Sequence, residues 1–119
     1  MPQIVVGLVN ELMFSTKVSA MANESGVTYQ SGRAEKKFND ILVGEKPGLV
    51  VVDLEDEVMQ GRLETVMNKW PGIRVLGFCS HVREELIGAA EAKGVFVSTR
   101  GQFDRFLAAE VASLLSTAV

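Results

Sequence analysis

Cysteine and histidine are almost absent from this chain, with one of each, Cys79 and His81. A single cysteine excludes an internal disulfide. It points to a reducing compartment, so a cytoplasmic location is expected. A single histidine gives a metal centre no imidazole partner, and a site built on His81 alone is not expected. No stretch approaches the roughly 18 apolar residues that cross a bilayer. No basic start leads into a long apolar run, so no secretory leader is read. Twelve Lys and Arg stand against fifteen Asp and Glu, for a net charge of −3. The basic residues are scattered, with no stripe interleaved with aromatics, which argues against nucleic acid as a partner. Neither G-x-G-x-x-G nor G-x-x-x-x-G-K-[ST] occurs, so the phosphate cradles of dinucleotide and nucleoside triphosphate sites are missing. No internal repeat, linker or low-complexity tract interrupts the 119 residues. One domain, 1–119, is expected.

What is present is an alternation. At 47% hydrophobic the chain has enough apolar surface for a real core. QIVVGLV at 3–9 is β-branched and reads as a buried strand. Asn10 reads as a helix cap, and a helix over about 11–24 carries Phe14, Val18 and Met21 on one face. Gly26 ends it. VTYQ at 27–30 is a short strand. A second helix over about 33–43 bears Ala34, Phe38, Ile41 and Leu42, and Gly44 and Pro47 close it. GLVVVD at 48–53 is a third strand. A helix over 57–69 with Leu63, Val66, Met67 and Trp70 follows, opened by the acidic run Glu55-Asp56-Glu57. IRVLGF at 73–78 is strand four, then a helix over about 82–92, strand five at 95–99 and a last helix to the C-terminus. Strands that are apolar throughout are covered on both faces, as in a parallel sheet. The expected fold is therefore α/β: a flavodoxin-like three-layer sandwich with five parallel strands in order 2-1-3-4-5 and five helices.

In an open α/β sheet, ligands bind beyond the carboxyl ends of the strands. Strand one delivers Asn10 and Glu11 there, and strand three delivers Asp53. Strand four delivers Cys79, Ser80 and His81, and strand five delivers Ser98, Thr99 and Arg100. Paired carboxylates suit a hard cation. A hydroxyl and a cation opposite suit a phosphoryl group. The same edge also serves a small-molecule-binding protein or enzyme of flavodoxin type, and that alternative stays open. So does the plain reading in which strand ends are polar because they are wet. Cys79-Ser80-His81 does not read as a catalytic pair, since adjacent residues on extended chain point apart.

The residues KPGLVVVD at 46–53, IRVLGFCS at 73–80 and AKGVFVSTRGQF at 92–103 resemble the receiver domains of bacterial response regulators. The likeness spans essentially the whole chain. In that family the third strand ends in the phosphoacceptor aspartate, which falls on Asp53. The chain also looks like a group of stand-alone, receiver-like bacterial proteins that share a LFF-S-K-like first helix and SHV after strand four, here Leu12 to Lys17 and Ser80-His81-Val82. The resemblance implies no required cofactor beyond Mg²⁺, weakly held by Glu11 and Asp53. It implies Cys79 or Ser80 as the sensor of a phosphoryl group, Arg100 as its counter-charge, and a histidine kinase or effector as protein partner. The sequence departs from the family where two adjacent acids follow strand one, offering Asn10-Glu11 or Val9-Asn10. It departs again where a lysine follows strand five, offering Arg100 or Gly101.

These departures favour a divergent or pseudo-receiver that is not an enzyme and acts through protein contacts, with Asp53 expected half-exposed beside Glu11 and Asp56. The partner surface is expected on the small-residue helix four and the apolar helix five. Its candidates are Leu86, Ala89, Ala92, Phe103 and Phe106, facing a second copy of the chain or another protein.

Overall fold

The computed structural model describes residues 3–79, 83–99 and 102–117. Strands β1 (Ile4–Leu8), β2 (Thr28–Ser31), β3 (Leu49–Asp53), β4 (Val75–Cys79) and β5 (Phe96–Thr99) alternate with helices α1 (Leu12–Glu24), α2 (Glu35–Leu42), α3 (Glu57–Lys69), α4 (Glu84–Ala92) and α5 (Phe103–Thr117). All neighbouring strands pair in parallel, in the order β2-β1-β3-β4-β5. This is the expected five-stranded, doubly wound sheet. No helix among the described residues is long and apolar enough to cross a membrane.

The valine runs explain the architecture. Val5, Val6, Val50, Val51 and Val52 have no solvent exposure. Successive strand residues point to opposite faces, so each run feeds two cores. Val5, Val9, Leu49, Val51, Leu76 and Phe78 pack with Phe14, Val18 and Ala22 of α1 and with Phe103 and Leu107 of α5. Val6, Leu8, Val50, Val52, Val75 and Cys79 pack with Phe38 and Ile41 of α2, Met59, Leu63 and Val66 of α3, and Ala90 of α4. A strand with one wet face would have left half of these valines exposed.

The cap of α1 differs from the sequence reading. Helix α1 begins at Leu12, with Glu11 as its N-cap and no side-chain cap bond, so Asn10 is not the cap. Helix α3 is capped by Asp56, whose side chain accepts from the Val58 and Met59 amides. The positive φ of Gly26 (+76°) and Gly94 (+90°) ends α1 and α4 in the left-handed conformation that glycine adopts without strain.

Phe103 is a correction. The sequence placed it on the partner surface, but it has no exposure and packs in the core against Phe14 and Phe78, with ring centroids 4.9 and 4.8 Å away. Phe14 and Phe78 stack at 4.4 Å. Such ring pairs each contribute about 0.5–1.5 kcal/mol beyond their burial, so the three rings fasten α1 and α5 to the middle of the sheet.

Strand β4 has no slack at Gly77. A Cβ there would lie 2.9 Å from Leu54 side-chain atoms and 3.0 Å from Val95 Cγ1. Gly77→Ala is expected to destabilise the fold by about 1–3 kcal/mol through overpacking. Urea denaturation should show a lower midpoint at unchanged slope. An unshifted midpoint would mean that Leu54 and Val95 yield freely.

Candidate functional site

Parallel register decides which residues meet at the carboxyl edge. Leu8 pairs with Val52, Asp53 with Phe78, and Phe78 with Ser98. One step beyond Leu8 brings Val9 level with Asp53. The row across the sheet is therefore Val9, Asp53, Phe78 and Ser98. Val9 and Phe78 are buried, at 0% and 2% exposure, and Ser98 is buried too. Asp53 is half-buried at the mouth of β3, between two apolar neighbours on the adjacent strands.

The local backbone explains how Asp53 is held. Its Oδ1 accepts the Glu55 amide at 2.9 Å, an Asx turn that lifts the chain off β3. The Leu54 amide donates to the Phe78 carbonyl at 3.0 Å. Gln60 of α3 donates its side-chain amide to the Leu54 carbonyl. The turn from β3 into α3 is thus tied to both β4 and α3, and Asp53 is oriented by its own main chain.

The expected carboxylate grouping is rearranged. Asp56 turns to the α3 amides, because a helix start leaves N–H groups without partners and a short carboxylate satisfies them best. Glu11 is exposed at the start of α1, where its carbonyl accepts the Ser15 amide. Glu55, read from the sequence as part of a solvated first turn, is instead half-buried and acts on Cys79. Among the described residues no three His, Cys, Asp or Glu side chains come close enough to hold a metal ion.

Cys79 ends β4, level with Thr99, and is 3% exposed. Burial pushes its thiol pKa above the ordinary value of 9.0. The carboxylates of Glu55 and Asp53 raise it further, and the Arg83 guanidinium opposes them. Cys79 is therefore a neutral thiol near neutral pH, a weak S–H donor and a poor nucleophile. The structure brings Asp53, Glu55 and Cys79 into one electrostatic group, but it offers no second carboxylate beside Asp53 from β1. Ser80, His81 and Arg100 lie outside the described residues. Thr99 is exposed at the end of β5, and its hydroxyl lies 3.4 Å from the Gln102 side-chain oxygen.

Of the surface candidates, Ala89 and Ala92 are exposed, and Leu86 is partly buried against the α2–α4 core. Phe106 is half-buried. Its ring meets Phe96 edge-on at 5.1 Å, and Phe96 is 47% exposed on the edge strand β5. The sequence reading missed Phe96. No alternation signals it, since Phe96 and Ser98 share a face of β5, yet Ser98 is buried and Phe96 exposed on the edge strand.

No protein-family model matches the chain, and no curated protein matches it. Solved structures do. A response regulator from Thermotoga maritima superposes with a TM-score of 0.77 at 18% identity, over 98% of this chain and all of that one (100%). The chemotaxis protein CheY4 of Vibrio cholerae superposes at 0.74 and 10% identity, over 100% of both chains. An orphan response regulator of H. pylori superposes at 0.71 and 16% identity, over 96% of this chain and 94% of that one.

The raised thiol pKa sets an expectation for reactivity. In the folded protein at neutral pH, Cys79 should react with a disulfide reagent about tenfold or more slowly than in the unfolded chain. The thiol's contribution to stability is present in full below the unfolded pKa, and is lost as pH rises through the higher folded one. A stopped-flow pH profile tests this. A folded rate equal to the unfolded one near neutrality would remove the buried neutral thiol.

Proposed function

From the receiver fold of this chain, which its structural neighbours share, we propose that it is a divergent receiver-like signalling domain that works through protein contacts. In this reading it does not depend on a Mg²⁺-assisted phosphoryl-transfer site. The observation that carries the reading is the row at the sheet edge, where buried Val9 stands level with Asp53. A doubly charged hard cation needs several oxygen ligands, and a side chain without oxygen on the neighbouring strand supplies none. Glu11 and Asp53 remain the candidate ligands for weak Mg²⁺ binding. Cys79, with Ser80 and Arg100, remains the candidate sensing group. The neutral thiol of Cys79 is a poorer donor than a hydroxyl.

A second reading keeps Asp53 as a phosphoacceptor fed by a histidine kinase. The half-exposed carboxylate at the end of the central strand supports it, because such an oxygen can be reached from solvent. The two readings separate in one experiment. The purified chain is treated with acetyl phosphate, and separately with beryllofluoride, at millimolar Mg²⁺. Intact mass and amide NMR are then recorded. The divergent reading expects no phosphoryl adduct and no saturable shift at Asp53. An adduct that Asp53→Asn abolishes would establish the phosphoacceptor and sink the divergent reading.

Signal output in this proposal leaves through the face that carries Ala89, Ala92, Phe96 and Phe106. An exposed aromatic pair beside small side chains lets a partner approach closely while burying apolar area. The partner is a second copy or an effector protein. A specific interface there would bury at least about 1,000 Å². Ala89→Arg or Phe96→Arg is expected to weaken self-association about tenfold or more, or about 1.4 kcal/mol, through a desolvated charge. Sedimentation at micromolar concentration reads the effect. A dimer indifferent to both changes would place the interface elsewhere, and a strictly monomeric chain would leave the effector as the partner.

A further inference from the structure

A second polar constellation lies away from Asp53, beside the outer strand β2. An open cleft of about 610 Å³ runs between the start of α1, the end of β2 and the first turns of α2. We propose that this cleft binds a small organic phosphate, a phosphoryl group carried on an apolar or ring-shaped body. The proposal does not rest on the receiver reading.

Three hydroxyls form its floor. Tyr29 Oη and Ser15 Oγ share a hydrogen bond at 2.8 Å. Ser31 Oγ accepts the Arg33 amide at 3.3 Å. Burial holds the Tyr29 phenol above its ordinary pKa, so it keeps its proton. Three hydroxyls own three protons, and the one bond among them consumes one, which leaves protons for acceptors outside the trio. Half-buried Ser31 lines the cleft.

Two cations stand over this floor. Arg33 and Lys37 line the cleft, and among the described residues neither side chain forms an ion pair. Asp40 is the one acid in the lining, so the cleft carries two positive charges against one negative. The loop that bears Arg33 is held from behind. Arg62 of α3 donates to the Gly32 carbonyl at 2.7 Å and to the Arg33 carbonyl. Gly7 makes room for the floor itself, since a Cβ there would lie 2.0 Å from Tyr29 Oη. An arginine fork, an ammonium and hydroxyls lining one cleft match a phosphoryl group better than a singly charged carboxylate.

The remaining wall is apolar, and it argues for a body beyond the phosphate. Leu12 lines the cleft yet is 66% exposed. Buried Ile41 lies on the other side. The volume far exceeds one phosphate and falls in the range of small-molecule sites, about 300–1,000 Å³.

The test titrates the isotope-labelled 119-residue chain with adenosine monophosphate, ribose phosphate and inorganic phosphate, at low and at physiological salt, read by amide shifts. At least one ester is expected to give saturable shifts confined to residues 12–15 and 29–37, and to bind about tenfold tighter than inorganic phosphate. Arg33→Ala and Lys37→Ala should each weaken that ester about tenfold, while Lys69→Ala, on another surface, should leave it unchanged. Asp53→Ala should bind undiminished, which separates this site from any phosphoryl chemistry at Asp53. The proposal is overturned by an absence of saturation with all three probes, or by shifts spread evenly over surface lysines and arginines. It is also overturned if inorganic phosphate matches the esters, or if binding is indifferent to Arg33 and Lys37.

Discussion

The burial of β1, β3 and β4 on both faces is the constraint on which the rest depends. Their amides and carbonyls cannot turn to water, so each must pair along the sheet. Parallel pairing in turn demands a long crossover for every strand. The crossovers are α1 to α4, and they and α5 cover the valine rows that would otherwise stand in solvent. All the strands therefore end at the same edge of the sheet. Asn10, Asp53, Cys79 and Thr99 are brought near one another only because the sheet cannot be built otherwise.

Two regions differ in character. Around Asp53 the flanking strands contribute Val9 and Phe78, and the Phe14–Phe78–Phe103 cluster lies in the same core. The polarity there comes from the β3–α3 turn, through Glu55, and from the buried thiol of Cys79. Around Tyr29 the polarity comes from three hydroxyls, of which Ser15 and Tyr29 are hydrogen-bonded, and from two cations. The first region has carboxylates without a neighbouring acid from β1. Among the described residues, the second has cations without a carboxylate paired to them.

Much of the fold was legible because the central strands are short apolar runs closed by a polar residue, and the helices repeat at 3.6 residues. KPGLVVVD shows a buried strand and its end at Asp53 without any structure. The site was legible only as a set of strand ends. Asp56 shows why. From the sequence it is one of three consecutive acids, yet the α3 amides claim it, and Glu55 rather than Asp56 acts on Cys79. Phe103 and Phe96 show the same limit on the surface. Both are aromatic residues near the C-terminal third of the chain, and one is fully buried while the other is half-exposed. Composition cannot separate them, because that depends on which neighbour fills the space beside each ring.

The sequence by itself determined the parallel sheet, its strand order and the place of Asp53 at the end of the central strand. The parallel sheet and the strand-end place of Asp53 follow from local periodicity and crossover chirality, and the order from the likeness to receiver domains. Only the tertiary structure decided that Val9 stands level with Asp53, that Cys79 is a neutral thiol, and that Ser15 and Tyr29 share a hydrogen bond in the cleft that Arg33 and Lys37 line. Those facts depend on strand register and on contacts between residues far apart in the chain. Register is set by the packing of the whole core, and a slip of one residue would turn every one of these side chains to the other face.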